Sequence, residues 1–106
     1  MKESFLIDVL KKGVSPFHCV EAAMQTLEES GFEELEYARP WNLKKGKAYV
    51  MNHHGTTLYA FTIGENFRAD AMLRMAAAHT DYPYLRIKPN ADFVTDRYAQ
   101  VNVEVY

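Results

Sequence analysis

The spacing of apolar residues changes period along this chain, from helical in the first third to alternating at the end. Phe5, Leu6, Val9 and Leu10 fall at i, i+1, i+4 and i+5, the stripe of a short amphipathic helix over residues 5–12. Ser4 is its expected N-cap and Gly13 its stop. A clearer helix is predicted from Ser15-Pro16 to Gly31. The serine hydroxyl can cap free N–H groups there, and proline at the first helical position sacrifices no needed donor. Within it Phe17, Val20, Met24 and Leu27 line one face, and Glu21, Gln25, Glu28 and Glu29 the other, so the apolar face must pack on something.

The stretch from Phe32 to Trp41 has no sustained period and contains Pro40, which predicts a connection with a short strand near residues 34–37. From Lys47 the residues become β-branched and aromatic. Ala48 to Met51 and Thr57 to Ile63 read as a hairpin turning at Asn52-His53-His54-Gly55. Residues 64–70 are polar enough for a loop. Met72 to Ala78 is an apolar run that reads as a buried strand, although its alanines and methionines would equally permit a helix. Pro83 and Pro89 bracket a strand at Leu85 to Lys88, and the strict alternation from Gln100 to Tyr106 predicts a closing half-buried strand. The whole is expected to be one α/β domain over residues 1–106, two N-terminal helices packed on a mixed β-sheet.

Composition narrows the function classes. With 48% hydrophobic and 25% charged residues the chain has the make-up of a folded soluble domain, and at 106 residues it should bury about two-thirds of its unfolded surface around one core. A net charge of -2, with basic runs only at Lys11-Lys12 and Lys44, Lys45 and Lys47, offers no footprint for nucleic acid. No apolar run suits a signal peptide or a membrane span, and the single cysteine, Cys19, fits a reducing compartment, so a cytoplasmic location is expected.

The chemistry concentrates where the apolar run Ala76-Ala77-Ala78 ends in His79-Thr80-Asp81. Side chains two apart on a strand share a face, so the imidazole and the carboxylate can point together into a cleft beyond the strand end. A metal-bound histidine needs an acceptor that fixes its tautomer, and a carboxylate two places on can supply it. By spacing alone, His-x-Asp does not separate a metal ligand from a hydrogen-bonded bystander.

Several blocks together go further. Ser15-Pro16-Phe17-His18-Cys19-Val20-Glu21, Gly31 to Leu35, Trp41-Asn42-Leu43 and Gly46 to Val50 come first; Ala78-His79-Thr80-Asp81, Leu85 to Asn90 and Val103-Glu104-Val105-Tyr106 follow in order. This series resembles the N-terminal region of the M18 aminopeptidases, which include the aspartyl and yeast-type vacuolar aminopeptidases. The resemblance implies a zinc-dependent peptidase that removes the N-terminal residue of peptides. It implies that His79 ligates one zinc of a two-zinc centre and that Asp81, counted with the catalytic residues, orients it. The family's bridging aspartate, glutamate base, other zinc ligands and inserted dimerisation domain match nothing in these residues. A two-metal site with ions about 3.5–4 Å apart needs more donors than one His-x-Asp. The chain alone is therefore expected to be an inactive portion of a peptidase domain. Tyr82 and Tyr84 depart from the small residues, commonly serine at the first position, that follow the family's aspartate.

The remaining candidates have simpler readings. His18 and Cys19 are adjacent on a helix and point about 100° apart, against a nucleophile pair. His53-His54 sits at the predicted turn, Glu104 in an alternating strand where a paired, exposed glutamate is expected, and Trp41 and the tyrosines in core or interface. Two alternatives to the peptidase reading stay open. One is a non-catalytic α/β module that self-associates, as a homo-oligomer, or binds a partner through an unpaired sheet edge. The other is a mononuclear metal domain combining His79 with His53 or His54.

Overall fold

The computed structural model describes residues 3–106; Met1 and Lys2, the start of the N-terminus expected to carry no signal peptide, lie outside them. Helix α1 runs Glu3–Lys12, so Ser4 stands inside its first turn rather than capping it, and the helix ends at Gly13 as expected. Helix α2 runs Pro16–Glu29 with Ser15 as N-cap in extended backbone, its side-chain oxygen accepting from the His18 N–H. At the far end Gly31 adopts φ 88°. The Gly31 N–H donates to Glu28 O and the Phe32 N–H to Leu27 O, at 2.9 and 3.0 Å. These two bonds form a Schellman motif, which needs the left-handed residue that only glycine adopts freely.

Strands β1 (Glu33–Glu34), β2 (Ala48–His53) and β3 (Thr57–Thr62) form a mixed sheet in that order. β1 lies parallel to β2, and β2 antiparallel to β3. Helix α2 covers this sheet. Val20, Met24 and Val50 form the core, with Leu27, Phe32 and Leu58 packed around them. Phe17, expected on the buried stripe, is 61% exposed, its ring lying over Gly55 beyond the sheet's covered area. Tyr49 is buried beside Phe61, and its hydroxyl accepts from the Lys44 N–H at 2.8 Å, which ties down the preceding connection.

Strands β4 (Leu85–Thr95) and β5 (Tyr98–Val105) form a separate antiparallel hairpin. β4 does not stop at Pro89 as expected. The pairing shifts register between Ile87 and Asp92, and a bulge is where a sheet tolerates a residue with no N–H to donate. The turn is Asp96-Arg97, both at positive φ (50° and 69°), the two-residue type I′ geometry that matches strand twist. Leu85 opposes Val105 and Ile87 opposes Val103, so one hairpin face is apolar. That face is uncovered. Val105 is 84% exposed, so the alternation of β5 is present but its expected burial is not.

The run Met72 to Ala78, expected as a buried strand, pairs with nothing among the described residues and is exposed, Met72 by 94% and Met75 by 87%. A strand is held by ladder partners, and among the described residues this run, which faces β3 across an open groove, has none. The accessible surface is 9379 Å², against about 6,100 Å² for a folded chain of this length. Just under half of the unfolded surface is therefore buried, rather than the expected two-thirds.

Candidate metal centre

Residues 79–82 carry no regular structure, yet side chains fasten them on three sides. Thr80 Oγ1 donates to Thr56 O at 3.0 Å, tying the segment to the β2–β3 turn. The Tyr82 hydroxyl donates to Gly13 O at 2.6 Å, tying it to the junction between the helices. The Tyr106 hydroxyl donates to Asp81 Oδ2 at 2.5 Å, tying it to the end of the hairpin. Thus Tyr82, the departure at the position after the aspartate, works as a tether.

Within this frame His79 and Asp81 converge. The imidazole Nδ1 lies 3.1 Å from Asp81 Oδ1 and 2.5 Å from the backbone oxygen of Asp81. Both neighbours are acceptors, which puts a proton on Nδ1 and, in the neutral ring that binds a metal, leaves the lone pair on Nε2. The expectation of a carboxylate at the imidazole is thus joined by a shorter contact that residue spacing did not show, the main-chain carbonyl of the same aspartate. The ring is 80% exposed, and the aspartate is half-buried.

The Asp81 carboxyl is held below its ordinary range, chiefly because it accepts the Tyr106 hydroxyl, with smaller help from its own backbone N–H and from His79; partial desolvation opposes them. The Tyr106 phenol is pushed up for the reciprocal reason. An ionised Asp81 can accept from Nδ1–H on one oxygen and from the Tyr106 hydroxyl on the other at the same time.

These features fit one arm of a zinc site: an exposed imidazole, its tautomer fixed by acceptors behind it, with the outward nitrogen unpaired among the described residues. They do not fit more than one arm. No group of three or more His, Cys, Asp or Glu side chains among the described residues could hold a metal ion. The proposed combination with His53 or His54 finds no support, because the turn reaches the segment through Thr56 while His53 faces Tyr37 and Tyr59, at ring separations of 5.2 and 6.3 Å.

Beside His79 an open groove of about 570 Å³ runs between Thr57, Leu58 and Ala60 on one wall and Ala76 and Ala78 on the other. The remaining candidates occupy structural roles. His18 Nδ1 lies 2.8 Å from Ser15 Oγ, and Cys19 Sγ meets Gly13 O at 3.5 Å, so the two side chains serve different partners. Glu104 sits directly across from Arg86, 4.0 Å away, as an exposed cross-strand pair. Glu33 is held below its ordinary range by the hydrogen bond and charge of Lys47, 2.8 Å away, and Lys47 is raised in return. Among the described residues no helix is long and apolar enough to cross a membrane.

Residues 9–106 match the family described as aminopeptidase I zinc metalloprotease (M18). A probable M18 family aminopeptidase 2 of Clostridium acetobutylicum is 39% identical over 102 residues, and one of Stutzerimonas stutzeri 37% over 101. Each alignment covers 95% of this chain and 24% of the relative, so the chain spans about a quarter of the length of these proteins. Among solved structures, a chain in the cryo-EM structure of the Ape4 and Nbr1 complex superimposes with a TM-score of 0.85 at 29% identity, over 93% of this chain and 19% of that one.

Proposed function

Because the chain belongs to the M18 zinc metalloprotease family, we propose that it contributes one zinc ligand, His79, and its orienting carboxylate, Asp81, to an aminopeptidase that removes the N-terminal residue of peptides. The observation that carries this reading is Nδ1 of His79 lying against two acceptors of Asp81 on a ring that is otherwise exposed. In a complete two-zinc site the metal would acidify a bound water and polarise the scissile carbonyl. The residues present prepare that chemistry by fixing the direction of one donor. The groove walled by Leu58, Ala60 and Ala76 leads to the imidazole and suits part of a peptide. Donors beyond these residues must complete the centre, so on this reading the 106-residue chain alone does not hydrolyse peptides. The proposed compartment is reducing and cytosolic, a reading supported by a chain whose single cysteine, Cys19, has no second thiol to pair with.

The test uses the complete protein loaded with zinc and peptides with free or acetylated N-termini. Wild type should release the first residue only from the free peptides, and H79A should lose most of kcat/KM. Full activity in H79A would overturn the assignment.

A second reading, as a module that self-associates or binds a partner, is favoured by the uncovered face of Leu85, Ile87, Val103 and Val105 and by the outer edge of β5. Sedimentation of the chain should show association that V103K weakens; a strict monomer at high concentration would contradict it.

A further inference from the structure

The carboxylate of Asp81 has two oxygens and two partners. Oδ1 faces His79 Nδ1 at 3.1 Å, and Oδ2 accepts the Tyr106 hydroxyl at 2.5 Å. Without the second contact this half-buried side chain would be held in place by the 3.1 Å contact to the exposed imidazole alone, a weaker restraint on rotation about its Cα–Cβ and Cβ–Cγ bonds. Tyr106 is itself well placed to hold it. Its backbone N–H donates to Tyr84 O at 3.0 Å, continuing the ladder beyond the Leu85–Val105 pair. Its ring also lies 5.3 Å from that of Tyr84, tilted by 43°. The last turn of this chain of contacts therefore starts in the hairpin register, passes through a phenol hydroxyl to a carboxylate, and ends at the ring nitrogen behind the outward donor.

We propose that Tyr106 is a positioning residue of the metal centre: its hydroxyl pins Asp81, and through Asp81 it fixes the tautomer and direction of His79. This rests on the reading of His79 as a zinc ligand. The Asp81 backbone carbonyl shares the Nδ1 proton, so loss of the carboxylate weakens the restraint without abolishing it. The effect of Tyr106 must be smaller than that of Asp81, because it acts only through it. Partners behind a metal-bound histidine are worth about 10- to 100-fold in metal affinity, which puts D81A near the lower end and Y106F at about three- to tenfold.

The experiment compares zinc affinity of the complete protein in wild type, H79A, D81A, Y106F and D81A/Y106F, with Y84F as a control that leaves the hydroxyl of Tyr106 in place. Long-range ¹H–¹⁵N spectra of the His79 ring in the metal-free protein report the tautomer directly. Y106F should weaken zinc binding and add the Nε2–H tautomer, and should have no further effect once Asp81 is alanine. Equal losses from Y106F with and without Asp81 would mean that Tyr106 serves only the fold and would overturn the proposal. So would a Y106F protein with wild-type affinity and an unchanged ring spectrum. If H79A itself binds zinc like wild type, it is the ligand reading that fails, an outcome distinguishable from the other two.

Discussion

Truncating Val50 to alanine tests whether the small core is what sets the site's frame. Val50 is fully buried on the central strand of the three-stranded sheet, against Val20 and Met24 of α2. Removing two methyl-sized groups forfeits about 1.6 kcal/mol of transfer free energy. An unfilled volume of roughly 50 Å³, at about 24 cal/mol per Å³, adds about 1 kcal/mol if the walls do not collapse. The sum, about 2–3 kcal/mol, corresponds to a fall of about 10 °C in Tm for a domain of this size. The assay is urea and thermal denaturation of the chain followed by circular dichroism. Val105→Ala is the internal comparison, a valine of the same strand propensity that is 84% exposed and should cost less than about 0.5 kcal/mol. Equal losses at the two positions would refute the reasoning, because they would show that the α2–sheet contact is not where this chain's stability resides.

Other consequences follow from local geometry. S15A, which removes the cap of α2, should cost about 1 kcal/mol in the same denaturation assay, and S15D should restore most of it. The Glu33 carboxyl titrates below 4.5 and the Lys47 ammonium above 10.5 in the folded chain. The pair's stabilisation is therefore complete between those values; it is lost as pH falls through the lowered Glu33 pKa or rises through the raised Lys47 pKa. A ¹³C titration of the Glu33 carboxyl should show the lowered value, and K47M should return it towards 4.5. R97G should strengthen the hairpin by about 1 kcal/mol, since Arg97 is held at φ 69° where glycine carries no steric cost, and amide exchange across β4 and β5 should slow accordingly.

Much of this was legible in the sequence because its cause is local. Ser15-Pro16, the 3.6-residue stripe and Gly31 define α2, since capping and left-handed backbone are decided within a few residues. The β2–β3 hairpin and the adjacency of His79 and Asp81 were readable for the same reason. What failed depends on distant neighbours. Met72 to Ala78 has the composition of a buried strand, but burial and pairing are supplied by other segments, and among the described residues the run stays unpaired and exposed, separated from β3 by the groove. The same holds for the uncovered face of β5. Asp96-Arg97 carries no turn signal in the sequence, since arginine is a poor occupant of positive φ, and Pro89 reads as a boundary there because its bulge is visible only in the pairing. Tyr106 on Asp81 lies 25 residues away in sequence; joining the two predicted strands 85–88 and 100–106 in register would have brought it opposite Tyr84 and close to the site.

The central claim is that Nε2 of His79 is a metal donor directed by acceptors on Nδ1. The most direct measurement replaces zinc by ¹¹³Cd in the complete protein labelled with ¹⁵N-histidine and records the metal–nitrogen couplings. The account predicts a one-bond coupling from cadmium to Nε2 of His79, with Nδ1 still protonated. Bound cadmium with no coupling to His79, or with coupling through Nδ1, would contradict it.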